Sequence, residues 1–299
     1  MHAGYTVTGT TRTPTKADSI RATGAQAVVL DALNPDSVME VVQNAKPDAI
    51  IHQLTAIPAR LNLRKFDRDF AMTNRLRTEG TDNLLAAAKA SGVRRFLAQS
   101  YAGWPYARVG GPVKTEDDPL DTRVPRGLRR GSEAIRHLES AVVGSGLEGL
   151  VLRYGGFYGP GTSLGQGGSF LEEVRKRHVP IIGTGAGVWS FIHIDDAARA
   201  TVAALERGQP GLYNIVDDDP APVSDWLPAL AAAVGAKAPR RVPAWIGRLA
   251  VGEHGVMLMT ESRGASNAKA KRVLGWMPVW SSWREGFRRG LSNPSSSSG

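Results

Sequence analysis

The sequence predicts an α/β protein built around a mostly parallel sheet, and two observations lead to this prediction. Short apolar runs alternate with longer amphipathic stretches, which is the pattern of β-α-β units. Glycine, proline or aspartate bounds each short run, and these residues commonly end strands. The predicted strands are residues 5–11, 26–31, 49–55, 94–100 and 149–155.

Two helices are predicted between these strands. The first, over residues 34–45, begins with an asparagine cap and a proline, and its Val38, Val41 and Val42 share one face. The second, over residues 73–92, has apolar residues at helical spacing and ends on a glycine.

The alternation becomes less regular after Gly155, where residues 159–168 form a glycine-rich loop. This change predicts a second, smaller lobe. We expect a sheet domain over residues 1–160, to which parts of 185–217 return, a lobe over 161–291 and a flexible tail over 292–299. The predicted elements of the lobe are helices over 170–178, 195–207 and 224–234, a strand over 211–216 and a helical C-terminal part.

The composition restricts the classes of function. The chain has no cysteine, which excludes disulfides, thiolate metal sites and cysteine nucleophiles. No stretch approaches the roughly 18 apolar residues of a membrane span, and the first residues lack the apolar run of a signal peptide. We therefore expect a cytoplasmic protein with no membrane partner.

The net charge of +9 comes from 37 basic and 28 acidic residues. Arginines cluster at residues 123–136 and 283–289, but neither cluster is interleaved with the aromatic residues that single-strand binders use. These clusters indicate solvated helix faces and an anion site, so no nucleic-acid partner is predicted. The six histidines are too scattered for a metal site, and we interpret His52 and His193 as hydrogen-bonded core residues.

Four segments in order carry a specific resemblance: VRRFLAQSYAG (93–103), LRYGGFYGPGT (152–162), FIHIDDAARATVAALE (191–206) and NAKAKRVLGWMP (267–278). Together they resemble the extended short-chain dehydrogenase/reductases, the epimerase/dehydratase group that acts mostly on nucleotide sugars. The resemblance covers nearly the whole chain. It implies a Rossmann-like doubly wound parallel sheet with a smaller C-terminal substrate lobe, NAD(P)-dependent oxidoreductase or epimerase/dehydratase chemistry on a small molecule, and a homodimer.

The sequence departs from this family at its start. The family's first strand runs into a glycine-rich turn that holds the dinucleotide pyrophosphate, whereas residues 5–12 here resemble the second strand. The glycines of 155–161 follow a late strand and do not replace that turn. We expect two strand edges to face a gap, because the natural start lies upstream or the chain is truncated. The alternative is that cofactor binding is lost or rebuilt.

A second departure affects the active site. In the family, Ser100 would be the catalytic Ser/Thr, and a Tyr-x-x-x-Lys pair would move the proton and hold the ribose. Alignment through Glu139 puts Gly131 and Ile135 at the tyrosine and lysine positions, and neither can do that chemistry. We therefore expect an atypical site with a relocated acid, or binding with weak chemistry. The candidate catalytic residues are Ser100, Tyr101 and Tyr106.

The resemblance also implies cofactor contacts. Arg12 ends the second family strand where an acid would hold the ribose of NAD, so it predicts the 2′-phosphate of NADP. Asp31 corresponds to the adenine contact, and Asn74 to an asparagine near the nicotinamide, although it could simply cap its helix. The other predicted cofactor contacts lie near strand ends: Ala32, Leu54, Thr55, Ala56, Gly155 and Tyr158.

Two arginines are predicted to bind substrate, Arg153 and Arg263. Arg263 resembles the arginine that holds a substrate pyrophosphate in nucleotide-sugar enzymes. The acid usually found two residues later is Ala265 here, which counts against that assignment.

Two other functions remain open at this point. Residues 161–165 match G-x-S-x-G, so a serine hydrolase would use Ser163, an acid among 217–219 and His254, but flexible glycines flank the motif. The absence of the tyrosine and lysine also favours a non-catalytic NADP-binding sensor of the same fold. Turnover of a substrate would distinguish the sensor from the enzyme.

Overall fold

The computed structural model describes residues 3–58, 63–103 and 105–292. The strands in chain order are β1 (Thr8–Thr11), β2 (Gln26–Val29), β3 (Ala49–His52), β4 (Arg95–Tyr101), β5 (Val113–Lys114), β6 (Glu148–Tyr154), β7 (Gly156–Tyr158), β8 (Ile181–Ile182), β9 (Val188–Trp189), β10 (Phe191–His193), β11 (Gly211–Ile215), β12 (Ala221–Pro222), β13 (Arg241–Val242) and β14 (Gly264–Ala265). In the described residues, no helix is both long and apolar enough to cross a membrane.

The α-helices are α1 (Ala17–Arg21), α2 (Pro35–Ala45), α3 (Phe66–Asp69), α4 (Ala71–Arg75), α5 (Thr81–Ala90), α6 (Arg129–Val143), α7 (Ser169–Arg175), α8 (Ile194–Arg207), α9 (Val223–Ala233), α10 (Ala244–Thr260), α11 (Ala268–Leu274) and α12 (Trp283–Arg289). Helix α2 begins as predicted, because the Asn34 side chain accepts a hydrogen bond from Ser37 N at 3.1 Å. The helix predicted over 73–92 is α4 and α5 joined by a π-helical turn, Leu76–Gly80.

A four-stranded parallel sheet lies at the centre, in the order β11-β6-β4-β3. Strand β4 shows how both faces are covered. Phe96 and Ala98 point into a core built with α2, α5 and α6, whereas Leu97 points into a core built with α8 and α11. This arrangement of helices on both faces confirms the predicted doubly wound α/β fold.

Strands β1 and β2 pair with each other in parallel, in a register that places Thr8 opposite Gln26. Within the described ranges, no backbone ladder joins β1 to β3, so the expected pair of unpaired edges is present. Strand β3 ends at His52 rather than at the predicted residue 55. The reason is local: Leu54 N donates to His52 Nδ1 at 3.3 Å and leaves the ladder.

The second lobe has its own aromatic core. Phe191 and Trp226 meet edge to face at 5.3 Å between ring centroids, and Phe287 packs beside Phe191 at 5.4 Å. Tyr158 and Trp283 belong to the same cluster, and all five side chains are almost completely buried. This core joins α9 and α12 to the end of the parallel sheet.

Asp196, fully buried near the start of α8, holds the C-terminal segment onto the sheet domain. Its carboxylate accepts hydrogen bonds from Val279 N at 2.8 Å and Trp280 N at 2.9 Å, and it also pairs with Arg199. Because both backbone amides donate to one buried carboxylate, this side chain fixes the path of the chain before α12.

We expect Asp196→Ala to lower the free energy of unfolding by about 2–4 kcal/mol, because two backbone N–H groups and Arg199 lose their buried carboxylate partner. Urea denaturation measures the change. Asp195→Ala is the matched control, since its side chain is 68 % exposed, and it should change stability by less than about 1 kcal/mol. Equal losses in the two variants would contradict this role for Asp196.

Candidate active site

A buried ion pair lies where β4 and β6 end. Arg153 donates from Nε to Glu139 Oε1 at 2.8 Å and from Nη2 to Glu139 Oε2 at 2.6 Å. Ser100 is opposite Arg153 in the ladder, and its Oγ donates to Glu139 Oε1 at 2.7 Å. The two-point geometry of this pair fixes both side chains and the predicted catalytic serine.

Tyr106 extends this network. Its hydroxyl accepts from Arg153 Nη1 at 3.1 Å and donates to Asn214 Oδ1, and Asn214 N donates to Glu116 Oε1 at 2.7 Å. Burial raises the pKa of Tyr106 to about 12, so the phenol is protonated at neutral pH.

The network occupies three side chains for which the sequence predicted a role in the site. Arg153, predicted to bind substrate, uses all three guanidinium nitrogens on internal partners. Ser100 and Tyr106 are 2 % and 1 % exposed, and both hydroxyls are hydrogen-bonded within the network.

Tyr101 is the accessible member of the three candidate catalytic residues. It follows Ser100 on β4, points to the opposite side and remains partly exposed at the edge of a cluster with Phe66 and Ile135. Burial raises the pKa of Tyr101 to about 12, with Arg77 acting in the opposite direction. Gly103 makes room for the ring, since a Cβ there would lie 2.3 Å from the Tyr101 hydroxyl.

The structure explains what replaces the family's tyrosine and lysine. Gly131 is buried on α6, and Ile135 is 1 % exposed in the apolar cluster that supports Tyr101. The position aligned with the lysine is therefore part of a hydrophobic core, where an unpaired ammonium would be unfavourable.

Sequence reasoning missed Arg77, which is 7 % exposed and lies on the π-helical turn. Its neighbours come from three elements: His52 at the end of β3, Tyr101 at the end of β4 and Glu139 on α6. Burial lowers the pKa of Arg77 to about 10, although Glu139 and then Tyr101 oppose the change. The sequence signal that could have identified Arg77 is a basic residue next to Leu76, on a helix whose apolar spacing predicts a buried face.

His52 and His193 are hydrogen-bonded core residues, as predicted. His52 Nε2 lies 3.3 Å from Leu76 O and 3.1 Å from Thr81 Oγ1, and His193 Nε2 lies 3.1 Å from Gly290 O. Burial lowers the pKa of His52 to about 4, and Arg77 contributes to the lowering, so this imidazole is neutral at pH 7. Among the described residues, no group of three histidine or acidic side chains could hold a metal.

The predicted adenosine contacts lie at the ends of β1 and β2. Arg12 and Asp31 are exposed there, while Ala32 is buried and its carbonyl accepts from Asn83 Nδ2 at 3.0 Å. The segment over Leu54, Thr55 and Ala56 follows β3, and Ala56 N donates to Thr73 Oγ1 at 3.0 Å. Because the carboxyl ends of parallel strands share one edge, these residues line the edge where such folds bind dinucleotides.

Asn74 is 9 % exposed, and its amide oxygen and nitrogen have no hydrogen-bond partner among the described residues. Such an orphaned amide fits a polar ligand group. Together with the exposed Arg12 and Asp31, it fits the two ends of a dinucleotide, although no glycine-rich pyrophosphate turn precedes β1 in the printed sequence. These residues could hold the adenosine and nicotinamide ends.

Tyr158 and Gly155, predicted as cofactor contacts, are held by internal packing. The Tyr158 side chain has no exposed surface and packs in the aromatic core of the second lobe, where burial raises its pKa. A Cβ on Gly155 would lie 2.8 Å from Ser190 O, so the glycine permits close packing of two backbone segments. Arg263 donates to the carbonyls of Glu261 and Arg108, at 3.2 and 3.4 Å.

A cavity of about 270 Å³ opens beside the Tyr101 cluster. Val124 and Met257 belong to both the cavity wall and the cluster. Arg123, Arg126 and Arg248 line its exposed side, so part of the first arginine-rich segment borders this cavity. The cavity therefore lies beside the apolar cluster against which Tyr101 packs.

The structure does not assemble the hydrolase triad considered from the sequence. Ser163 is exposed, Asp219 accepts from Arg284 Nε at 3.0 Å, and His254 packs against Phe66 with 5.5 Å between ring centroids. No hydrogen bond between described residues joins Ser163 to either partner.

The fold defines a Rossmann-type α/β protein, and the candidate site lies at the sheet edge where such folds bind dinucleotides. The family described as NAD dependent epimerase/dehydratase matches residues 1–216. The chain belongs to this family, and the known members to which it is similar are epimerases, dehydratases and reductases.

Among its relatives, a "3-diazoavenalumate denitrifying reductase" from a Streptomyces species is 43 % identical over 274 residues, covering 91 % of this chain and 89 % of the relative. A UDP-glucuronate 4-epimerase from Thermodesulfobacterium geofontis is 26 % identical, covering 87 % of this chain and 76 % of the relative. The first relative shares far more of its sequence with this chain than the sugar-nucleotide enzyme does.

Solved structures show the same fold. UDP-glucose 4-epimerase from Thermotoga maritima matches with a TM-score of 0.73 and 22 % identity, covering 97 % of this chain and 91 % of that chain. The dTDP-glucose 4,6-dehydratase of Bacillus anthracis, solved with NAD, matches with a TM-score of 0.72 and 16 % identity, covering 97 % of this chain and 88 % of that chain.

We expect Arg153→Met to lower the free energy of unfolding by about 3–5 kcal/mol, because it leaves the Glu139 carboxylate buried without its partner. The double variant Glu139→Leu with Arg153→Met should lose less than Arg153→Met alone, since no buried charge is left unpaired. Urea denaturation of both variants tests this coupling. Additive losses would show that the two side chains do not act as a pair.

Proposed function

We propose that this chain is an NAD(P)H-dependent reductase that removes a diazo group from an organic acid as dinitrogen. The observation that carries the proposal is the apolar environment at Gly131 and Ile135, where other members of the family are expected to have the proton-transfer pair. The 43 % identical relative named for the reduction of 3-diazoavenalumate supports the choice of substrate class.

The chemistry of the leaving group explains how a reductase can act on a diazo substrate without the tyrosine and lysine of the family. Reduction of a carbonyl needs a proton donor for the oxygen, which a tyrosine normally supplies. Reduction of a diazonium group by hydride needs none: the carbon–nitrogen bond breaks, a carbon–hydrogen bond forms and neutral dinitrogen departs. When bound, the reduced dinucleotide supplies the hydride and ends oxidised, so atoms and charges balance.

The residues around Tyr101 have three roles in this proposal. The apolar cluster of Phe66, Ile135 and Met257 keeps water from a reactive diazo group. The ion pair of Glu139 with Arg153 positions the ends of β4 and β6. Tyr101, protonated at neutral pH, contacts the substrate from the edge of this cluster and transfers no proton.

Arg12 supports NADPH as the preferred reductant in this proposal. Its exposed guanidinium follows β1, and we infer that it pairs with the 2′-phosphate of the adenosine ribose. The exposed position leaves the side chain free to adopt the two-point geometry that phosphate favours.

We expect the purified protein to convert 3-diazoavenalumate with one dinitrogen released per NADPH oxidised. With NADPH deuterated at the transferred position, mass spectrometry should find the deuterium in the product, whereas NADPH in deuterated water should give unlabelled product. Tyr101→Phe should keep the turnover rate within about threefold, because no proton moves through the phenol.

Two outcomes would contradict the proposal. A loss of about 100-fold in turnover by Tyr101→Phe would identify the tyrosine as a relocated acid. Binding of NADPH without turnover of this or any carbonyl substrate would instead favour the non-catalytic sensor.

For the cofactor, we expect Arg12→Ala to weaken NADPH binding by about tenfold or more and to leave NADH binding unchanged, because only NADPH carries the 2′-phosphate. The shift of melting temperature with each dinucleotide measures both affinities. Arg272→Gln, an exposed arginine on α11, is the control and should change neither. Equal weakening of NADPH and NADH binding would sink this role of Arg12.

A further inference from the structure

Two buried polar side chains lie on one stretch of helix: Asn74, which could also hold the nicotinamide end of the cofactor, and Arg77, which the proposed reaction does not use. Asn74 is the second-last residue of α4, and Arg77 follows three residues later on the π-helical turn. They are 9 % and 7 % exposed. Side chains three residues apart on a helix are neighbours, so the two amide atoms and the guanidinium share one face.

Neither side chain is satisfied by the protein. Among the described residues, the buried amide oxygen and nitrogen of Asn74 have no hydrogen-bond partner, and Glu139 and Tyr101 act on the charge of Arg77 without a hydrogen bond to it. A buried guanidinium is unfavourable unless an anion or several acceptors pair with it. π-Helical turns are also frequent at functional sites.

Glu139 is the acidic residue with the largest electrostatic effect on Arg77, but its carboxylate forms no ion pair with the Arg77 guanidinium. Glu139 has both carboxylate oxygens engaged, Oε1 by Ser100 and Arg153 Nε and Oε2 by Arg153 Nη2. His52 is neutral at pH 7 and Tyr101 is protonated, so neither supplies negative charge. The group formed by Arg77, Arg153 and Glu139 therefore keeps one uncompensated positive charge.

The position of this charge identifies where a ligand would meet it. His52 ends β3 and Tyr101 ends β4, so Arg77 lies at the carboxyl edge of the parallel sheet. Small molecules bind at this edge in open α/β sheets. The planar guanidinium matches the two oxygens of a carboxylate, and an amide beside it can donate a further hydrogen bond.

We propose that Arg77 and Asn74 form a carboxylate-binding site for an organic acid at the ends of β3 and β4. This inference rests on the proposed function for the identity of the acid as substrate. The site itself follows from the two unpartnered side chains. Arg77 donates two parallel hydrogen bonds to the carboxylate, and Asn74 Nδ2 donates to one of the same oxygens.

The decisive variant is Arg77→Met, which replaces the guanidinium by an apolar chain of similar length. Without ligand, the variant should melt about 2 °C or more above the wild type, because an unpaired buried charge is removed. A lower melting temperature, or failure to fold, would mean that Arg77 has a structural partner and would overturn the proposal.

Ligand binding is measured on the same variant without dinucleotide, so that no turnover occurs. The probes are 3-diazoavenalumate, its methyl ester and cinnamate, an unreactive aromatic carboxylate. We expect Arg77→Met to weaken both carboxylates by roughly 10- to 100-fold and to leave the neutral ester unchanged. Arg77→Lys should recover part of the affinity, and Asn74→Leu should weaken it less than Arg77→Met.

The controls separate this site from its alternatives. Arg272→Gln should leave all affinities unchanged. Weaker NADPH binding in Arg77→Met with unchanged carboxylate binding would assign the arginine to a dinucleotide phosphate and overturn the carboxylate site. Carboxylate binding that depends on Arg77, without turnover of 3-diazoavenalumate, would sink the proposed reaction and leave this site standing.

Discussion

The bidentate contact between Glu139 and Arg153 is the interaction on which the candidate site depends. It joins α6 to β6, fixes Ser100 through the same carboxylate and positions Tyr106 through the remaining guanidinium nitrogen. A buried pair of this kind is weak evidence for stability, because the loss of hydration offsets much of the attraction. Its value is geometric: each group has one arrangement that satisfies it.

This pair also determines which residues are left for a ligand. Since Glu139 is fully engaged, Arg77 keeps a positive charge with no contact partner among the described residues. Ser100 and Tyr106 are held inside the network, whereas Tyr101 is partly exposed and packs against the apolar cluster beside the cavity. The same constraint therefore separates Tyr101 from the two other candidate catalytic side chains.

The apolar replacement at Gly131 and Ile135 relates the site to the reaction. In a fold that usually moves a proton and a hydride together, losing the proton-transfer pair favours the proposed reaction, which needs only hydride. A diazo group meets this requirement because dinitrogen leaves without protonation. The hydrophobic packing of Ile135 beside Tyr101 also protects such a substrate from water.

Local patterns in the sequence were sufficient to predict the fold. The alternation of apolar runs with amphipathic helices predicted the parallel strands β2, β3, β4 and β6, because strand and helix periodicities are local properties. The resemblance through residues 93–103 and 152–162 predicted where the site lies, and the missing tyrosine and lysine were visible by alignment.

Only the tertiary structure decided the roles of individual side chains, because those roles depend on contacts between distant segments. Arg153 was predicted to bind substrate, but its partner Glu139 lies 14 residues earlier on another element. Tyr158 was predicted near the cofactor, but its side chain is buried in a lobe core whose members extend as far along the chain as Phe287. Arg77 gave no motif at all. Arg77 matters because its side chain is buried and has no contact partner among the described residues. A sequence pattern does not show which charged side chains are paired in the folded protein.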